Sequence, residues 1–198
     1  MAEYTPWVEN LAVQKITDTT TKRKDWLVLE HLGLSELPAA LAELTSIREL
    51  YVIDNLLETI PAEILALPQL TTLDLFCNRI CSIPAEVEHF QSLTHLTLSA
   101  NQLKTLPAAI GRLTSLTHLN VSGNQLEALP PEIVNLSSLT HLDLSNNLLC
   151  SLPAGITKLP KLAYLDLCDN PLLTQDCDLL KITDPAVLLA SLPAEVFK

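Results

Sequence analysis

Residues 93–113 read LTHLTLSANQLKTLPAAIGRL, and this stretch decides the fold. Leu96 and Leu98 alternate with Thr97, the period of a strand with one buried face. Asn101 follows where such a strand must turn away, and Pro107 fixes φ in the segment that returns. The same spacing recurs on both sides. Asn55, Asn78, Asn101, Asn124, Asn147 and Asn170 fall at a constant interval, as do Pro38, Pro61, Pro84, Pro107, Pro130 and Pro153. Between them lie Leu73-x-Leu75, Leu96-x-Leu98, Leu119-x-Val121, Leu142-x-Leu144 and Leu165-x-Leu167. The unit is LxxLxLxxNxLxxLPxxIxxLxx. One unit cannot bury its own leucines, so neighbours must stack. Each Asn then has backbone N–H and C=O groups within reach that no strand ladder satisfies.

This pattern resembles the leucine-rich repeat family in its 23-residue form. It is similar to the intracellular Ras-group repeats of scaffold proteins and to repeats of bacterial proteins. The resemblance covers about residues 24–172. It implies an α/β fold: a leucine-rich repeat solenoid, a curved horseshoe with a concave parallel β-sheet and helical caps. It also implies protein partners. Three regions follow: an N-terminal helical cap and linker over residues 1–23, repeats over 24–172 (six full, one partial), and a C-terminal helical cap over 173–198.

Departures from the unit mark the ends. The first unit has Leu32 in place of Asn, and after Asn170 the Pro position holds Asp176. Residues 5–16 read as a capping helix with Thr5 as N-cap, Pro6 at N1, and Val8, Leu11 and Ala12 on one face. Residues 17–24, TDTTTKRK, read as a polar connection. Asp184-Pro185 starts a second capping helix by the same logic, and its leucines are expected to cover the last open repeat.

Composition narrows the function classes. The 198 residues carry a formal net charge of −11, which opposes binding to nucleic acid or to an anionic membrane surface. Hydrophobic residues at 48% are too many for a disordered chain, and aromatics at 4% leave the core to aliphatic side chains. The first ten residues lack the apolar segment of a secretory signal. Five cysteines without a framework spacing fit a reducing compartment, with a Cys168–Cys177 disulfide as the alternative. A cytoplasmic monomer is the expectation, and a secreted bacterial effector acting by host-protein binding is the alternative. No phosphate-binding glycine motif, nucleophile elbow or HExxH motif occurs. No cofactor, catalytic residue or metal ligand is assigned.

What remains is the surface between the leucines. Trp26, Tyr51, Phe76 and Tyr164 account for four of the eight aromatics, and all fall at outward strand positions. Trp26, Tyr51 and Phe76 shift two residues per strand, giving a diagonal apolar stripe joined by Ile53. Such stripes mark protein interfaces. The alternative for Trp26 is packing against the N-terminal cap. His95, His118 and His141 share one outward position and form a column. At ~4.8 Å per strand the outer pair stands about 9.6 Å apart, so all three cannot hold one zinc at ~2.1 Å. Two neighbours with Asp143 could, which makes a metal-dependent site the third functional alternative. Asn120, Asp143, Asp166 and Asp169 make the C-terminal half polar and acidic, and Glu30, Glu49, Asp54 and Asp74 add charge to the other half. The predicted contact set is therefore Trp26, Tyr51, Ile53, Phe76, His95, His118, His141, Asp143, Tyr164 and Asp166, facing a protein partner with a basic surface.

Overall fold

The computed structural model describes residues 5–172, 184–192 and 194–197. Seven strands, β1 (Trp26–Val28), β2 (Glu49–Tyr51), β3 (Thr72–Asp74), β4 (His95–Thr97), β5 (His118–Asn120), β6 (His141–Asp143) and β7 (Tyr164–Asp166), form one open parallel sheet in sequence order. Each residue pairs with the equivalent residue of the next unit: Leu27 with Leu50, Leu73 with Leu96, Leu119 with Leu142. The strands are three residues long, each an inward leucine between two outward residues, as in His95-Leu96-Thr97, with the second leucine of the LxL pair just past the strand end. Their central leucines, from Leu27 to Leu165, and the second inward column, from Leu29 to Leu167, are buried.

The return path is short and tight. Pro38, Pro84, Pro107, Pro130 and Pro153 each precede a 3-10 turn, and Pro61 precedes a single α-helical turn, Ala62–Leu65. The proline carbonyl accepts the N–H three residues on, as in Leu41 to Pro38 at 2.9 Å and Ile110 to Pro107 at 3.0 Å. Gly111 is needed there, because a Cβ would lie 2.4 Å from the Glu132 carbonyl oxygen of the next turn. The core is not wholly aliphatic. Phe90 is fully buried at the place that Leu67, Leu113 and Leu136 take in other units.

The asparagines bind the units together. Asn124 Oδ1 accepts the N–H of Leu103 at 2.9 Å. Its Nδ2 donates to the carbonyls of Leu98, Val121 and Ser122 at 2.9, 3.0 and 3.2 Å. Asn55, Asn78, Asn101, Asn147 and Asn170 repeat this arrangement. The residue before each Asn has positive φ: Asp54, Cys77, Ala100, Gly123, Asn146 and Asp169.

The N-terminal helix, α1 (Thr5–Thr21), is longer than the sequence suggests. The threonine run stays helical because Thr19 continues the buried face of Ala12 and Ile16, and Thr17, Thr20 and Thr21 satisfy their hydroxyls on carbonyls four residues earlier. Its buried face is Ala12, Ile16 and Thr19, while Leu11 is exposed; the expected pairing of Leu11 with Ala12 on one face is corrected. The side chain of Val8 lies outside the described residues. At the other end Asp184 Oδ1 accepts the N–H of Ala186 at 2.9 Å and starts the helix Pro185–Ser191. Leu189, Leu192 and Val196 are buried, and the N–H of Leu152 donates to the Val196 carbonyl at 2.7 Å. Cys177 lies outside the described residues, and so does the Cys168–Cys177 alternative.

Candidate functional site: the concave sheet

The outward strand positions form two rows. The first is Trp26, Glu49, Thr72, His95, His118, His141 and Tyr164; the second is Val28, Tyr51, Asp74, Thr97, Asn120, Asp143 and Asp166. The pairing places Tyr51 two residues beyond the partner of Trp26, and Phe76 two residues beyond Asp74, the partner of Tyr51. The diagonal stripe is therefore present. Trp26 and Phe76 are 42% and 43% exposed, while Tyr51 and Ile53 are half-buried. Trp26 is not hidden beneath α1; the Lys24 ammonium lies 4.2 Å from its ring centroid. The Tyr51 hydroxyl donates to Glu49 Oε2 at 2.8 Å, and that bond to a carboxylate raises its pKa. Burial pushes the Asp74 carboxyl up, partly offset by the Phe76 N–H that it accepts.

The histidine column is a stack. The His95–His118 and His118–His141 ring centroids are both 4.2 Å apart, with interplanar angles of 13° and 12°. Tyr164 extends it at 5.8 Å. Each Nδ1 lies 2.9 Å from the hydroxyl of the residue before it, Thr94, Thr117 or Thr140. Beside the stack, Asp143 Oδ1 accepts from the backbone N–H and hydroxyl of Ser145 at 3.0 and 2.7 Å. Asp166 Oδ1 accepts the Cys168 N–H at 2.9 Å, and the Tyr164 hydroxyl donates to Asp166 Oδ2 at 3.3 Å. Burial first, then the Asp166 charge, raises the Tyr164 pKa. Burial and the neighbouring rings His95 and His141 lower that of His118.

Near-parallel rings carry near-parallel lone pairs, so adjacent imidazoles at this spacing do not converge on one ion. Among the described residues no group of three His, Cys, Asp or Glu side chains is arranged to hold a metal ion. The structure thus brings the histidines together without giving them a chelating geometry.

Two features escape a reading by column. Thr94, Thr117 and Thr140 fix the histidine rings; the recurring tripeptide Thr-His-Leu at 94–96, 117–119 and 140–142 is the signal for them. At the turn row, His31 Nδ1 lies 2.6 Å from Asp54 Oδ2, and the Cys77 thiol donates to Asp54 Oδ1 at 3.6 Å. The carboxylate sits between thiol and imidazole, the wrong order for activating a nucleophile. Burial and Asp54 together push the Cys77 thiol pKa up, so it stays protonated.

A domain with this sheet, these buried asparagines and an exposed strand face is a leucine-rich repeat. The family model described as "Leucine rich repeat" matches residues 68–126 and 114–172, and the chain belongs to that family. No curated protein matches. Among solved structures it is similar to a leucine-rich repeat protein of Leptospira interrogans (35% identity, TM-score 0.65, 68% of this chain and 34% of that one). It is similar to an internalin of Listeria monocytogenes (30% identity, TM-score 0.58, 68% of this chain and 39% of that one). A third likeness is to the ectodomain of the plant membrane receptor kinase GASSHO1/SCHENGEN3 from Arabidopsis thaliana, in complex with CASPARIAN STRIP INTEGRITY FACTOR 2 (36% identity, TM-score 0.62, 67% of this chain and 17% of that one). The chain thus spans well under half the length of each of these proteins. The fold is commonly a protein–protein interaction module, and its family members are typically non-enzymatic scaffolds. Among the described residues no helix is long and apolar enough to cross a membrane.

Proposed function

We propose that the chain is a non-catalytic module that binds a protein partner through its concave sheet. The observation that carries this reading is the diagonal of Trp26, Tyr51, Ile53 and Phe76 on the outward face, exposed at Trp26 and Phe76 and half-buried between them. Large aromatics on a rigid sheet are anchors that lose little conformational freedom on binding. Seven strands at ~4.8 Å span about 29 Å, wide enough for a footprint of about 800 Å² per partner. Among the described residues no Lys or Arg occupies a position of β1 to β7, whereas Glu49, Asp74, Asp143 and Asp166 do. That sign of charge suits a basic partner surface. The same reading takes the chain to act as a monomer in the cytoplasm, in keeping with its unframed cysteines.

The test is the affinity of a partner that co-purifies from the native cell. Replacing both anchors (Tyr51→Ala with Phe76→Ala) should weaken it about a hundredfold, from two truncations of about 1–2 kcal/mol each. Unchanged affinity in the folded double variant rejects the concave anchors.

A further inference from the structure

The threonines beside the histidines have a chemical consequence. The hydroxyl of Thr94 is 2.9 Å from the Thr71 carbonyl, that of Thr117 2.9 Å from the Thr94 carbonyl, and that of Thr140 3.0 Å from the Thr117 carbonyl. A carbonyl only accepts, so in each contact the hydroxyl proton points to the preceding repeat. The same oxygen lies 2.9 Å from a histidine Nδ1. A hydroxyl has one proton. Both contacts are hydrogen bonds only if Nδ1 carries a proton and donates. A neutral imidazole protonated at Nδ1 has its lone pair on Nε2.

From this we infer that the stack is a row of three Nε2 acceptors, fixed in tautomer by the threonines, and that it receives arginine side chains of the partner protein. This rests on the concave-face reading above and names the chemistry that its C-terminal half selects. The observations agree on acceptors. No hydrogen bond among the described residues occupies Nε2 of His95, His118 or His141. A shallow hollow lies over the stack, lined by the three histidines, Asn120, Asp143 and Tyr164, with no Lys or Arg in its wall. Arginine has five N–H donors and no acceptor, keeps its charge at every working pH, and is held by carboxylates such as Asp143 and Asp166. It is also common at protein interfaces.

Protonating the ladder removes its acceptors and adds like charge, so docking is present above the histidine range and is lost below it. The titratable groups facing the stack are Asp74 on β3, Asp143 on β6, and Tyr164 and Asp166 on β7. Tyr164, whose pKa is raised by burial and by Asp166, stays neutral there, and the histidines are the groups whose protonation removes acceptors from the stack.

Two measurements test this on the full chain. Long-range proton–nitrogen correlation spectra of the free protein at about pH 7.5, one unit above the ordinary histidine value of about 6.5, read the tautomer directly. Pyridine-like Nε2 in all three rings is expected; pyrrole-like Nε2 overturns the inference. Thr117→Val should release His118 into a tautomer mixture, and Thr117→Ser should restore it. The second measurement uses a capped peptide with four arginines, and the same peptide with citrulline in their place. The arginine peptide should shift the three Nε2 signals and bind at least about tenfold more weakly at about pH 5.5, where about nine-tenths of ordinary imidazole is charged. Citrulline should weaken it by about as much. Binding that leaves the Nε2 signals in place, no binding at all, or equal binding by the two peptides overturns the docking assignment. The tautomer readout needs no partner, so its failure is separate from a failure of the aromatic anchors.

Discussion

The asparagines of the turn and the histidines of the sheet recur at the same interval along one solenoid, yet only the asparagines are inside. Each Asn is at most 8% exposed and spends its amide on backbone groups of its own and the preceding repeat. His95 and His141 are exposed, and of their ring nitrogens only Nδ1 has a hydrogen-bond partner among the described residues. Repetition therefore has two meanings here. In the first column it completes hydrogen bonds that the backbone cannot make alone. In the second it lines up identical edges on a surface, where a partner can use them.

The sharpest way to break this comparison is to truncate one member of each column. Asn124→Ala leaves the Leu103 N–H without its acceptor and removes the donor to three carbonyls. A buried donor left unpaired costs about 1–3 kcal/mol, and the lost amide contacts put the expected total near 3 kcal/mol. His95→Ala, at the exposed end of the stack, should change stability by no more than about 0.5 kcal/mol, the usual range for a surface site. Urea unfolding midpoints measure both. Equal losses would mean that the histidine stack is as structural as the asparagine ladder.

A smaller effect should come from the turn that delivers each Asn to the interior. Its φ is 53° at Ala100 and 63° at Gly123. Asp and Asn, as at Asp54 and Asn146, tolerate this left-handed region, and glycine adopts it freely; alanine does neither. Ala100→Gly should relieve about 1–2 kcal/mol of strain and lose part of it to the freer unfolded chain, a net gain of about 0.5–1 kcal/mol. Gly123→Ala should do the reverse, as its Cβ would also come within 3.3 Å of the Ala100 nitrogen. A melting temperature unmoved by Ala100→Gly would show that the turn is unstrained.

How far the sequence is legible follows from the same contrast. Columns of one residue type can be read without coordinates. Leu119, Asn124 and His118 stand where the repeat puts them, because the strand period alone decides which side chains face inward. Columns of mixed type cannot. His31, Asp54 and Cys77 are neighbours only because successive turns stack, and no shared identity connects them in the chain. The extent of α1 was hidden for another reason. Threonine and charged residues favour turns in general, but burial of Thr19 beside Ile16 carries the packed face through Thr17–Thr21 and outweighs that preference. Phe90 breaks the aliphatic rule because one core site accepts its ring in place of leucine.

The smallest expected effect separates the columns by pH, since asparagine does not titrate and the stack does. His118 is held below the ordinary imidazole value first by burial and then by the charges that His95 and His141 can carry. A folded-state value below the unfolded one means that the unfolded chain binds more protons in between. Stability from His118 is therefore complete above the ordinary value of about 6.5 and is lost as pH falls through the lower, folded value. A proton NMR titration should place the His118 midpoint below that of a histidine in an unstructured peptide. His95→Gln removes one of the two neighbouring charges but little of the burial, so it should move the midpoint only part of the way back. A full return would make charge, rather than burial, the main cause. No movement would mean that the rings do not sense one another, and the stack would then be three separate histidines that merely share a register.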